Sequence, residues 1–589
     1  MKSRFRLFAT TILAAALPVQ LLAAESANEW TAEQRRAVLD STVTIRLAPD
    51  LARLTPAEKT AVAELLATGR LLQSIYEDER HPQAAAIRTR LAQEPDSDFS
   101  TLYRLFQGPI ATTLDNRREP FVAVAAETPG KNVYPWGIEA AEIDRYLAAH
   151  PGARSELLDD RTVVRRATPE ALAADLATLD RYPLIAGLHP FLAARLRALA
   201  AAPDPAALYA VPYPVAHAEA LFAAYLHLMR AGDALAGEDV EFAGYLRNRA
   251  RDLLSNDYES GDASWTSGRF GRLNAQIGSY ETYDDALFGV KAFHSLSLLL
   301  RDEEATAKLG RSLGSLQEIE DALPYPAPKK KVRSDIPVAV YEVIADFGQA
   351  RGTNTATNLP NDPMHSRKYG RTILMRANIL RNATLSELSL RRWRAAVNPR
   401  FGSDYSGEGG FQRTLWHEIG HYLGPDTTRD GRTLDEALGT WADACEEMKS
   451  DLVSLFAYHE LARRGLVTPE ALRGVQASGV LRALNSHRPR RDQPYQTMQL
   501  AQFNYFVDRG LLAFDADGRL DIRHERYAAT VEGLLREVLL VQSSGDPAVA
   551  ESFFARWTAW GEPHEGLAAK LREAEGPRYR LVRYGALGE

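Results

Sequence analysis

The sequence has a single cysteine, Cys445, in 589 residues, so no disulfide can form within the chain and the fold must rest on packing. It also lacks an excess of positive charge. Seventy Lys and Arg stand against 77 Asp and Glu, for a net charge of −7. That balance disfavours nucleic acid or an anionic lipid surface as partner and suits cationic or amphoteric substrates. After the first two dozen residues no apolar run is long enough to span a bilayer. There is no internal repeat, no low-complexity tract and no collagen-like or coiled-coil bias. With 45% hydrophobic residues the composition is that of a globular protein. The length exceeds what one hydrophobic core serves, so two or more lobes are expected.

The one long apolar stretch stands at the start. Lys2, Arg4 and Arg6 precede an uncharged run from Leu7 to Leu22, and Ala23 and Ala24 supply small residues for cleavage. Residues 1–24 therefore read as a secretory signal, with a retained anchor as the alternative. The expectation is a periplasmic or secreted protein that meets no membrane once the signal is removed.

From Thr31 to about Ala250 the chain is rich in Ala, Leu and Arg at helical spacing, with Glu170–Leu179 and Phe191–Ala201 as examples. Leu323–Lys331 reads as an exposed connector. Ile336–Ile344 and Thr372–Ile379 read as strands, and the Asn, Pro and Asp content of 358–363 predicts a sharp turn between them. Helices return from Phe411 to about Leu571.

The chemistry is concentrated at His417-Glu418-Ile419-Gly420-His421, an H-E-x-x-H motif. Positions four apart share a helix face, so both imidazoles can reach one Zn²⁺ and Glu418 falls beside the metal's open position as a general base. Phe411, Leu415, Ile419 and Leu423 form an apolar stripe on another face, and Gly424-Pro425 is expected to end the helix. A third ligand is needed. Thr433 and Glu436 form a capping box, after which Leu434, Leu438, Trp441, Cys445, Met448, Leu452 and Leu455 read as one continuous apolar stripe. Glu447 and Asp451 lie four apart on a different face. Glu446 competes for the ligand role, but only Glu447 has an acidic partner one turn later. The expected set is one zinc per chain on His417, His421 and Glu447, with Asp451 and Glu446 behind the ligands. Cys445, on the apolar stripe, is expected to be buried packing.

With Glu446-Glu447-Met448-Lys449-Ser450-Asp451 in view, the chain resembles the dipeptidyl-peptidase III family of zinc exopeptidases. Ile277-Gly278-Ser279-Tyr280-Glu281-Thr282-Tyr283-Asp284-Asp285 is similar to that family's acidic, tyrosine-bearing segment, and Asn358-Leu359-Pro360-Asn361 to its N-x-P-N loop. The resemblance implies a predominantly helical α+β fold of two lobes separated by a wide cleft. One lobe would be helical and hold zinc; the other would contain a β-barrel core. The implied division is residues 25–301, 341–388 and 578–589 in the mixed lobe, and 302–340 and 389–577 in the zinc lobe. It also implies a monomer acting on oligopeptides, with Glu281, Asn358 and Asn361 holding the substrate's free amine and Tyr283 nearby. A fixed amine anchor about two residues from the metal selects which peptide bond is cut and gives dipeptide release. Two departures stand out. The zinc histidines are spaced as a five-residue motif where most of the family has one residue more. Tyr495 stands where the family has a histidine, and a phenol can still donate to a developing oxyanion.

Three other functions compete. Gly310-Arg311-Ser312-Leu313-Gly314 matches a serine-hydrolase G-x-S-x-G, a motif that works only on a strand-to-helix turn. It follows a charged helical stretch here, so the match reads as accidental. A peptide-binding protein without catalysis would not need Glu418 beside two histidines. Zinc hydrolysis of another amide or ester remains open on sequence alone.

Overall fold

Helix-periodic apolar residues fill most of the chain, and the molecule is built accordingly, as a mainly helical α+β structure. A computed structural model describes residues 29–589 other than 327, 333–337, 360–367, 370–371 and 490–493. The expected signal at 1–24 and Asn361 lie outside the described residues. The buried apolar side chains separate into two large clusters and a small one. The first gathers around the long helix α1 (Pro56–Arg80), with Leu65, Leu72, Leu228 and Leu246 at its centre. The second contains Trp393, Leu415, Met448, Leu452, Phe506 and Leu534.

Between them stands the principal sheet. Its strands are β1 (Leu273–Ser279), β2 (His294–Arg301), β3 (Val338–Gly348), β4 (Ala356–Leu359) and β5 (Thr372–Arg376), and their order is β1-β2-β3-β5-β4. Neighbours are antiparallel except β3 and β5, which run parallel. Alternation along β5 sends Leu374 into the first cluster and Ile373 and Met375 into the second. β3 does the same lengthwise, with Val338 and Val340 in one and Val343 to Phe347 in the other. The remaining described strands form two-stranded pairs, so no closed barrel exists among the described residues, and the expected barrel core is replaced by an open five-stranded sheet.

Two local expectations are corrected. Thr372–Ile379 does not continue as a strand. It ends at Arg376 and the chain winds into a helical turn, Ala377–Leu380. The Asn378 side chain then takes the place of a backbone partner, accepting from Val343 N at 2.9 Å and donating to Val343 O at 3.0 Å. The serine motif 310–314 falls at the end of the helix α2 (Glu303–Leu313) and not on a strand-to-helix turn, so it cannot present a nucleophile in that manner.

The zinc-motif helix α3 (Gly407–Gly420) starts with three glycines in four residues, which is poor helix sequence. Capping and packing supply what propensity does not. Ser406 Oγ accepts from Gly409 N at 3.0 Å. Gly409 lets α3 approach the helix α6 (Pro469–Arg482) so closely that an added Cβ would collide with the carbonyl carbon of Gly474. Gly409→Ala is therefore expected to cost at least about 1–3 kcal/mol, because backbone must move. Urea unfolding measures this, and an unchanged midpoint would contradict the contact.

The apolar stripe after the capping box is not one helix. Thr433 and Glu436 do cap α4 (Leu434–Leu438), but Gly439 takes φ +55° and breaks the run. A single 3-10 turn follows, and α5 (Ala442–Arg463) carries the remaining stripe.

Candidate metal centre

Helix α3 ends at Gly420, with His421 as its C-cap residue, one turn earlier than the Gly-Pro signal implied. Lys449 of α5 explains why the end is stable there. Its buried ammonium donates to the carbonyls of Gly420 at 2.7 Å and Leu423 at 3.0 Å, satisfying groups that a helix terminus leaves open.

α3 and α5 pack against each other and bring His417, His421 and Glu447 together. One donor atom from each lies within 4.8 Å of the others, a group that could hold a metal ion. His417 Nε2 stands 3.2 Å from Glu447 Oε2, yet that oxygen is buried without a hydrogen bond. Such an atom is costly unless a cation faces it. The far nitrogen of each ring is held by a carboxylate. Asp451 Oδ1 lies 2.7 Å from His417 Nδ1, and Glu446 Oε1 lies 2.8 Å from His421 Nδ1, with Ser450 Oγ at 3.0 Å. With each Nδ1 facing a carboxylate, Nε2 of each ring is left for a metal, the usual arrangement of metal-ligating histidines. The two rings are nearly perpendicular, 5.0 Å apart.

The electrostatics call for a cation. Burial opposes a charged His417, but Asp451 and Glu447 outweigh it and raise the imidazole to about 9. Burial would likewise raise Asp451 and Glu446. Instead His417, Arg482 and Arg413 hold Asp451 well below the carboxylate range, and Lys449 and His421 do the same for Glu446. Two histidines and one carboxylate are the ligand set that leaves a zinc position open, so the residues fit a catalytic zinc ion. Glu418, half-buried, sits on α3 next to His417.

Tyr495, at the start of α7 (Pro494–Asp508), donates to Glu447 Oε1 at 3.2 Å. Burial and Glu447 push the phenol's pKa up, so it stays a donor. Glu281 and Tyr283 stand in the loop after β1, where burial pushes the Glu281 carboxyl upward and the Tyr283 ring is exposed. Asn358 is on β4 with its backbone opposite Ile373, and Asn361 lies outside the described residues.

Several residues at the site escape sequence reasoning. Arg413 donates to Asp451 Oδ1 at 2.8 Å, Arg482 Nε is 3.4 Å from Oδ2, and Gln542 donates to Glu446 at 3.1 Å. Arg413 sits four residues before His417, on the same helix face, and that spacing could have flagged it. Arg482 and Gln542 come from distant helices and leave no such signal. Cys445 is 1% exposed. It is expected to react with a thiol reagent only after unfolding, and rapid labelling of the native protein would contradict its burial.

No family model matches the chain. Over 376 residues it is 29% identical to Nudix hydrolase 3 of Arabidopsis thaliana, an alignment covering 63% of this chain and 48% of that protein. The chain thus spans about half the length of that curated relative. Solved structures match far more of it. Dipeptidyl-peptidase III from Caldithrix abyssi superposes with a TM-score of 0.77 at 24% identity, covering 94% of this chain and 99% of that one. Dipeptidyl-peptidase III from Corallococcus sp. strain EGB gives 0.70 at 24% identity, covering 95% and 99%. Over nearly its whole described length, the chain has the two-lobed α+β fold of the dipeptidyl-peptidase III structures.

Proposed function

We propose that this chain is a zinc-dependent exopeptidase that hydrolyses peptide bonds near the free amino terminus of oligopeptides and releases dipeptides. The observation that carries the reading is the convergence of His417, His421 and Glu447, with both rings facing bracing carboxylates. The likeness to dipeptidyl-peptidase III structures supports a peptide substrate.

A zinc ion on these ligands would supply Lewis acidity to the scissile carbonyl and make a water molecule easier to deprotonate. Glu418 takes the water's proton and delivers it to the departing amine. Asp451 and Glu446 keep the two imidazoles in orientation. Tyr495 donates to Glu447 Oε1 in the resting site, and its single O–H turns from that carboxylate to the oxyanion as charge develops. Glu281, with Tyr283 beside it, pairs with the substrate ammonium and sets which bond reaches Glu418. Residues 1–24 direct export, so the substrates are peptides outside the cytoplasm, and the enzyme acts as a monomer. The mixed lobe comprises residues 25–301, 341–388 and 578–589, and the zinc lobe residues 302–340 and 389–577.

The test is metal content together with mass spectrometry of products from one oligopeptide, with its amino end free or acetylated. One zinc per chain and dipeptides from the free peptide alone are expected. Zinc without peptide cleavage would move the substrate to another amide or an ester. Folded protein that takes up no zinc would overturn the reading.

A further inference from the structure

The segment that carries Glu281 is tied to the body of its lobe on both sides. Before it, Arg161 Nε donates to the Ser279 carbonyl at 3.1 Å, and the Tyr280 hydroxyl donates to Asp262 Oδ1 at 2.6 Å. Asp262, on the helix Glu259–Ser267, also accepts from Arg249 of the helix Val240–Ser255, an arginine only 1% exposed. The Tyr280 ring stands 5.7 Å from the Arg249 guanidinium and 5.9 Å from that of Arg161. After Glu281, Asp284 Oδ2 accepts from Tyr76 of α1 and from Gln349, each at 2.9 Å, and Arg80 Nε lies 3.6 Å from its other oxygen. Asp285 is buried and accepts from the backbone N–H groups of Leu287, Phe288, Val290 and Lys291 and from the Tyr134 hydroxyl.

Tyr280, Asp284 and Asp285 thus spend their side chains on the lobe itself. Glu281 and Tyr283 are what the segment has left to offer a ligand. The Tyr283 ring is exposed, and Glu281 is half-buried, its backbone carbonyl held by Phe293 N at 3.2 Å. Stability is a poor account of this bracing. A buried arginine–aspartate pair gains little over apolar packing, and Arg249 Nε and Nη1 have no hydrogen-bond partner. What such a network does supply is a single geometry. A group that positions a substrate needs one, because a misplacement of about 1 Å can cost about a hundredfold.

We propose that Tyr280 and Asp284 are positioning residues for Glu281: by tying the chain on either side of it to the lobe, they fix where its carboxylate meets the substrate ammonium. This rests on the peptidase reading above, which gives Glu281 its ligand but not its support. Tyr280 works through Asp262 and Arg249, and Asp284 through Tyr76, Gln349 and Arg80. Both act on the substrate only by way of Glu281.

Tyr280→Phe removes the one oxygen that meets Asp262 and keeps the ring. Asp284→Asn keeps the shape and removes the charge facing Arg80. Each is made in the zinc-loaded Glu418→Gln protein, and calorimetry follows the binding of one tetrapeptide with its amino end free or acetylated. The parent is expected to prefer the free amine by about ten- to a hundredfold, the range of a charge-assisted contact. Either variant should cut that preference to about threefold or less, with the acetylated peptide bound as before and zinc content unchanged. A general loosening of the fold would weaken both peptides alike, so the ratio isolates the support of Glu281. The two changes lie on opposite sides of Glu281, so if one variant does not fold the other still decides. Preference kept in full by a folded variant, or equal weakening of both peptides, overturns the role of that residue and leaves the peptidase reading intact. A parent that binds both peptides equally overturns Glu281 as the amine anchor, and the support assigned to it falls with it.

Discussion

Glu418→Gln is expected to lower peptide turnover by about 10²–10⁴-fold while zinc binding stays near one per chain. Glutamine keeps the size of the side chain and its place on α3, but it cannot accept the water's proton at neutral pH. General-base contributions fall in that range. The metal ligands are untouched, because His417 and His421 are held by Asp451 and Glu446 and not by Glu418. Binding of peptide should persist, so KM should change little against a large fall in kcat. Single-turnover kinetics with metal analysis on the same sample gives both readouts. A variant that keeps its zinc and most of its activity would remove Glu418 from the mechanism.

Asp451→Asn should cause the largest combined loss of stability and metal affinity. Asp451 is 2% exposed and serves three groups at once: the ring of His417 and the guanidinium groups of Arg413 and Arg482. Asparagine keeps the shape but removes the charge, leaving Arg413 buried without its counter-ion. Breaking a buried pair by neutralising one partner costs about 3–5 kcal/mol, less whatever hydrogen bonding the amide retains. Loss of the brace on His417 should weaken zinc binding by about 10–100-fold. The wild-type contribution is present above the unfolded aspartate pKa of about 3.9 and is lost only as pH falls through the depressed folded value. The deficit is therefore complete at neutral pH. Thermal unfolding with and without excess zinc, and competition against a chelator, measure the two effects. Wild-type values for both would show that Asp451 carries neither.

The elements of the centre most legible in sequence are those whose partners are close along the chain. His417 and His421 share a face through helix periodicity alone, and Glu447 and Asp451 are placed by the same rule on α5. The Thr433 capping box is a four-residue signal and forms as expected. The break at Gly439 is hidden in the sequence because an unbroken apolar stripe outweighs one glycine. Which histidine each carboxylate serves was not readable, since it depends on how α3 crosses α5. Asp451 meets His417 and Glu446 meets His421 only once the helices are packed. Arg482 and Gln542 are more remote still, and their roles arise from tertiary packing. The sheet shows the same limit. Alternation marks β3 and β5 as strands, but whether a sheet closes depends on pairings between distant segments, and this one stays open.

The two faces of β5 have a consequence for how the molecule melts. Leu374 belongs to one core, Ile373 and Met375 to the other, and β3 divides in the same way along its length. Neither core can lose its packing without stripping one face of these two strands, which destabilises what remains on the opposite side. Two domains joined by a tether would give two endotherms in a calorimeter. Here the shared wall makes the cores one cooperative unit, and a single transition is expected, with a van't Hoff enthalpy close to the calorimetric one.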